Sequence, residues 1–180
     1  FGLAAEEDVD ASRLYRAMLE CKRNLGTPFF GESWLQALKD EFGDDAQILT
    51  VVKGKELVSS VMSFCFKDEI LPYYGGGGVL ARDLKGNDFM YWEVMRLASE
   101  NGLKIFDYGR SNIGSGAYRF KKHWGFEPEP LHYQAELIES SEIPNLNPSN
   151  PRYQFLIGRW KKLPLAIANI VGPPIARRLG

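Results

Sequence analysis

The sequence is poor in the residues that build metal centres and covalent frameworks. It has two histidines, His123 and His132, and two cysteines, Cys21 and Cys65, among 180 residues. Neither pair is accompanied by residues at ligand spacing, so no metal is expected, and a disulfide scaffold is excluded. Both cysteines sit in apolar surroundings and read as buried thiols. No run of about 18 apolar residues is present, so nothing in the sequence reads as a bilayer span. A phosphate loop ending in Gly-Lys-Ser/Thr, a nucleophile elbow and a His-Glu-x-x-His helix are also missing. Acid is absent in one place: residues 143–180 hold six basic residues and no Asp or Glu, while residues 1–142 sum to −7. A start at Phe1-Gly2-Leu3 instead of methionine reads as an excised piece.

What is present suits one folded domain. The chain is 44% hydrophobic and 13% aromatic, which rules out disorder, and its length allows a sizeable core. Leu14, Ala17, Met18 and Cys21 recur at helical spacing, predicting a helix over about 10–24 with Asp8 or Asp10 as its cap. Leu35, Leu38 and Phe42 mark a second helix. Then the period changes. Strands are expected over 46–53, 57–67 and 69–74, the first two joined by Lys53-Gly54-Lys55 as a hairpin. Gly75–Gly78 is expected to interrupt any regular element while permitting close approach to the backbone. A helix from Asp88, a strand over 104–108, a helix over 114–124 and a strand over 131–138 follow. The fold class is therefore α/β (α+β), a mixed central sheet flanked by helices. Residues 1–142 read as a single domain and 143–151 as a Pro/Asn-rich linker. Residues 152–180 read as a basic helical extension broken at Pro164.

The densest polar group is Phe106-Asp107-Tyr108-Gly109-Arg110-Ser111, at the carboxyl end of a strand, where ligands collect in open α/β sheets. Lys121 borders the apolar face of the next helix, formed by Ala117, Phe120 and Trp124. Two plainer readings stand beside a functional one. Lys121 and Lys122 complement the helix dipole, and Asp107 with Arg110 forms an ion pair that pins the loop.

Tyr73-Tyr74-Gly75-Gly76-Gly77, Asp88-Phe89-Met90-Tyr91-Trp92-Glu93, Phe106–Ser111 and Tyr118-Arg119-Phe120-Lys121-Lys122-His123-Trp124-Gly125-Phe126 together resemble the second half of FemAB-type proteins. The nearest likeness is to the FemAB-like group associated with bacterial exosortase/PEP-CTERM and exopolysaccharide clusters. Asn150-Pro151, Trp160–Pro164 and Gly172-Pro173-Pro174 fit that group too. The resemblance spans about residues 30–180. It implies a GNAT-like acyl-CoA N-acyltransferase fold, with this chain as the C-terminal domain of a tandem pair whose N-terminal GNAT-like domain would be its partner. It also implies transfer of an acyl or aminoacyl group to an amine of a cell-envelope, peptidoglycan or exopolysaccharide precursor, in the cytoplasm at the inner face of the membrane. The donor is left open between aminoacyl-tRNA and acyl-CoA.

The family's Phe-Lys pair falls on Phe120 and Lys121. Lys121 would stabilise charge on the carbonyl oxygen and Asp107 would take the amine's proton. Phe120, Arg110, Tyr74 and Ser111 would hold substrate. One departure concerns the donor. GNAT enzymes that use acetyl-CoA carry a glycine-rich loop before the central helix. Here that segment is Arg82-Asp83-Leu84-Lys85-Gly86-Asn87-Asp88, with one glycine and an acid at the helix start, so binding of acetyl-CoA in the usual manner is not expected. The alternative is a non-catalytic substrate- or partner-binding half. An RNA-binding module is disfavoured by the acidic body. In the tail, the basic residues around Leu163–Ile175 suggest contact with an anionic membrane. Packing of Leu165, Ile167, Ile170 and Val171 on the sheet or a missing domain is the competing expectation.

Overall fold

The computed structural model describes residues 2–134, 136–138 and 151–179, without the side chains of 151–153 and 179. Its centre is a five-stranded mixed sheet in the order β1-β2-β3-β4-β5. β1 (Leu3–Asp8), β2 (Ala46–Lys53), β3 (Glu56–Phe66) and β4 (Glu69–Gly77) pair antiparallel in sequence order. β5 (Ile105–Phe106) joins β4 in parallel, as a strand arriving through a helical crossover should.

α1 (Ser12–Leu25) and α2 (Glu32–Phe42) cover one face. Leu14, Met18, Phe29 and Leu35 meet Ile48 and Met62 there. α4 (Gly86–Glu100) covers the other, where Met90, Val94 and Ala98 meet Leu49, Val51, Val61 and Ile70. With both faces covered, β3 is buried without alternation from Val58 to Ser63. Three of the enclosed hydroxyls are satisfied internally: Thr50 on β2 and Ser60 share a 2.8 Å bond, Thr50 donates to Asp8, and Ser59 donates to the Gly86 carbonyl.

Three expectations need correction. β1 was not anticipated, because its Leu-Ala-Ala-Glu-Glu-Asp sequence lacks β-branched residues. It is held as an edge strand by its ladder to β2, and its Asp8 pairs with Arg13 at the start of α1. The glycine run does not interrupt β4, which stays paired through Ser59–Gly77. Glycine is needed there for close packing. A Cβ on Gly76 would lie 2.9 Å from Cys21 Cβ, and one on Gly77 would lie 2.4 Å from Ala81 Cβ in the short helix α3 (Val79–Asp83). The strand expected over 131–138 does not form among its described residues, which are irregular and exposed. β5 is the reason: it holds β4 through only two residue pairs, so no ladder continues for another strand to join. Residues 135 and 139–150, and with them most of the expected linker, lie outside the described residues.

Gly26 ends α1 in the left-handed conformation, at φ +87. α6 (Pro151–Trp160) and α7 (Leu165–Leu179) follow. α6 seats Ile157 against Gly26. α7 buries Ala168, Gly172 and Ala176, and its Asn169 accepts a 2.5 Å bond from the Tyr15 hydroxyl. Leu165, Ile167 and Ile170 are exposed and Val171 is half-buried, so that apolar group does not pack on the sheet.

Candidate functional site

The site is built where β4 and β5 part. The last bond between them is the Asp107 N–H donating to the Ile70 carbonyl at 2.9 Å. β4 then continues to Gly77 while the other chain turns away. A register shift against β3 between Met62 and Ser63 leaves Tyr73 as the extra residue on β4, a bulge of the kind that re-aims side chains.

The chain leaving β5 is shaped by its own polar groups. Asp107 Oδ1 accepts the Gly109 N–H at 2.7 Å, closing a turn in which Gly109 sits at φ +63. The Ser115 hydroxyl accepts the Tyr118 N–H at 3.1 Å and so caps α5 (Gly116–His123), a placement that satisfies one orphan helix donor. α5 then turns Phe120 inward, onto Tyr91 of α4 at 5.5 Å and Trp124 at 6.5 Å.

Lys121 reaches back over this loop. Its ammonium donates to the Gly109 carbonyl at 3.0 Å and the Arg110 carbonyl at 3.2 Å, and lies 5.9 Å from the Tyr108 ring centroid. Burial lowers its pKa, and the nearby Asp107 charge opposes that shift. An ammonium has three donors, so two carbonyls leave one N–H for another oxygen. Lys121 stands in the last turn of α5, yet its amine serves the facing loop.

The remaining candidates divide. Asp107 is exposed and bonds to Gly109, and Arg110 approaches the Tyr133 hydroxyl at 3.5 Å. Arg110's pKa is raised by Tyr133 and, less, by Tyr73. The expected pinning ion pair between Asp107 and Arg110 is therefore replaced by separate partners. Ser111 Oγ is buried without a hydrogen-bond partner among the described residues. Tyr74 belongs to another group: its hydroxyl accepts from Trp34 Nε1 at 3.3 Å and its ring meets Phe29. The structure thus joins Lys121 to the Asp107–Arg110 loop and seats Tyr74 in the aromatic packing by α2.

Tyr108 was overlooked, although it lies inside the polar group. Its ring stacks on Tyr91 at 5.0 Å and packs on Phe106 and Phe126. Its hydroxyl is buried and has no hydrogen-bond partner among the described residues, and burial pushes the phenol well above its usual range. The adjacency of Tyr108 to Asp107 was the available signal.

The segment where a coenzyme A pyrophosphate would meet backbone amides does not fit that group. The Val79 N–H, just beyond β4, donates to Glu20 Oε1 at 3.2 Å. A Cβ on Gly78 would lie 2.1 Å from that same oxygen, so the carboxylate packs directly on the glycine. At the start of α4, Gly86 is buried beneath Val58 and Asp88 stands in the first turn. Two acids repel phosphate there, and one already holds an amide donor.

Comparisons with known proteins agree with this architecture. None of the curated proteins matches. An aminoglycoside acetyltransferase, meta-AAC0020, from an uncultured soil metagenomic sample superposes with a TM-score of 0.56 at 11% identity, over 76% of this chain and 97% of that one. The ribosomal-protein-S18-alanine N-acetyltransferase from Escherichia coli gives 0.55 at 11%, over 71% and 78%. Ard1 from Thermoplasma volcanium gives 0.58 at 11%, over 72% and 86%. At such identities these likenesses show the fold. The family described as acetyltransferase (GNAT) domain matches residues 1–122, which include Asp107, Arg110 and Lys121, and to that family the chain belongs.

Proposed function

We propose that this GNAT domain transfers an activated acyl or aminoacyl group to a primary amine of a cell-envelope or exopolysaccharide precursor. The observation that carries the reading is the Lys121 ammonium, fixed by two backbone carbonyls at the parting of β4 and β5. The FemAB-like motifs around it favour an envelope acceptor. Structural neighbours named for aminoglycoside and alanine N-acetylation favour amine acceptors in general.

In this reading the amine nitrogen forms a bond to the donor carbonyl carbon. Charge gathers on the carbonyl oxygen, which accepts the unused Lys121 N–H. The carbon–oxygen or carbon–sulfur bond of the donor then breaks. The proton lost by nitrogen passes through the Asp107 carboxylate to the departing alkoxide or thiolate. Arg110 and Ser111 line the approach, while Phe120 and Tyr108 fix the lysine's reach. The donor is an ester or thioester whose phosphates do not rest on the Gly78–Val79 amides, which leaves aminoacyl-tRNA in contention.

The test offers acetyl-CoA and charged tRNA separately to the full-length protein, with a lysine-containing stem peptide and an amino sugar as acceptors, and follows product mass. Lys121→Ala should cut turnover about 100-fold or more, the scale of losing one oxyanion donor. Lys122→Ala, on the exposed side, should stay within about twofold. Equal losses would return Lys121 to the role of a helix-end charge.

A further inference from the structure

The structure leaves one surface unexplained by acyl transfer. α6 and α7 pack on the Gly26–Gly31 connection through one side each: Ile157 on Gly26, Gly172 on the Phe29 backbone, Pro173 on Gly31. Their opposite sides carry apolar groups that nothing among the described residues covers. On α7 these are Ile167 and Ile170, 45% and 74% exposed, with Pro174 one turn further on the same side. On α6 they are Phe155 and Leu156, 68% and 62% exposed.

Cations stand beside these groups. Arg159 lies over the Phe155 ring at 5.1 Å, Lys162 follows it, and Arg177 and Arg178 end the Ile167–Ile170–Pro174 stripe, all exposed. No acidic residue occurs anywhere from 143 to 180. Among the described residues, no helix is long and apolar enough to cross a membrane.

We propose that α6 and α7 dock the protein on an anionic lipid surface, with Phe155, Leu156, Ile167 and Ile170 entering the headgroup region and Arg159, Lys162, Arg177 and Arg178 meeting lipid phosphates. Charge complementarity selects this occupant. A second copy would bring the same face against itself in a two-fold contact, setting arginine on arginine with no acid to relieve them. A nucleic acid has no use for the exposed isoleucine and phenylalanine side chains, so half of this surface would go unused. Apolar side chains interleaved with basic ones are what an interfacial helix presents. This proposal is independent of the transfer chemistry.

The test is flotation of the full-length protein with phosphatidylcholine vesicles, with and without about one-third phosphatidylglycerol. Binding is expected only with the anionic lipid, and should fall steeply between about 0.05 and 0.5 M salt. Each basic residue near an anionic leaflet strengthens binding about fivefold, so Arg177→Glu with Arg178→Glu should weaken it at least about 25-fold. Ile170→Asp should weaken it about tenfold. The salt series on the unaltered protein decides the matter even if a variant misfolds. No binding at low salt, or binding indifferent to salt and charge reversal, overturns the proposal. So does arginine-dependent binding to tRNA without vesicle binding, or a dimer lost with Ile170→Asp in a protein that ignores vesicles.

Discussion

Every residue of β3 from Val58 to Ser63 is buried, whereas Asp107, Gly109, Arg110, Asn112 and Ile113, on the chain leaving β5, are exposed. The first region bonds its Ser59 and Ser60 hydroxyls inside the fold, Ser60 to Thr50 on β2 and Ser59 to the Gly86 carbonyl. The second leaves the Tyr108 and Ser111 hydroxyls buried without a partner among the described residues, at a cost of about 1–3 kcal/mol for each such group. Stability is concentrated where no chemistry is proposed. Two of the five buried polar side-chain atoms that lack a partner among the described residues, Tyr108 Oη and Ser111 Oγ, lie where transfer is proposed. A substitution in one region should therefore leave the other's property nearly untouched.

The largest effect that could break this contrast is in the body. Met62 is fully buried under α1 and α2, and Met62→Ala should cost about 2–5 kcal/mol in a urea melt. Turnover per folded molecule should stay near the wild-type value. A large loss of turnover in the still-folded fraction would join the two regions. The loop should show the reverse. Asp107→Asn keeps an oxygen for the Gly109 N–H and removes the base. Turnover should fall about 100-fold, with a melting temperature close to wild type. A melting temperature that drops with activity would make Asp107 a structural turn residue.

The smallest effect is a shift of one pH limb. Lys121 has its charge and its third N–H only when protonated, and burial lowers its pKa below the ordinary lysine value. Activity should be complete below that pKa and lost as pH rises through it. Lys121→Arg keeps a cation that does not deprotonate in this range, so the alkaline limb should move upward or vanish even if the rate falls. A limb unmoved by that substitution would assign it to another group.

The legible parts of the fold were those whose side chains announce their surroundings. β2 and β3 show as runs of β-branched and aromatic residues because both sheet faces are buried, and α1 shows because its apolar residues repeat at 3.6. β1 escaped because an edge strand of alanine and glutamate is stabilised by its partner's ladder instead of its own propensity. The length of β4 escaped because a glycine reads as a break unless one knows that Cys21 and Ala81 press on it from other elements. At the site, the approach of Lys121 to the loop followed from the placement of α5 after β5. The seat of Tyr74 beside Trp34 and Phe29 did not, since those partners come from α2 and the connection before it. The carboxylate at Gly78 comes from Glu20, 58 positions away in sequence, a distance no local pattern spans.

α7 continues as a helix through Pro173 and Pro174 to Leu179, although proline would ordinarily end it. Neither proline has an N–H to donate, so the carbonyls of Asn169 and Ile170 lack their usual intrahelical partner. Both residues are exposed, and water can serve those oxygens at little cost. Hydrocarbon cannot, because an unsatisfied carbonyl carried into the bilayer interior loses several kcal/mol. On a membrane the proline pair would act as a depth gauge, letting the helix settle among the headgroups and stopping it short of the acyl chains.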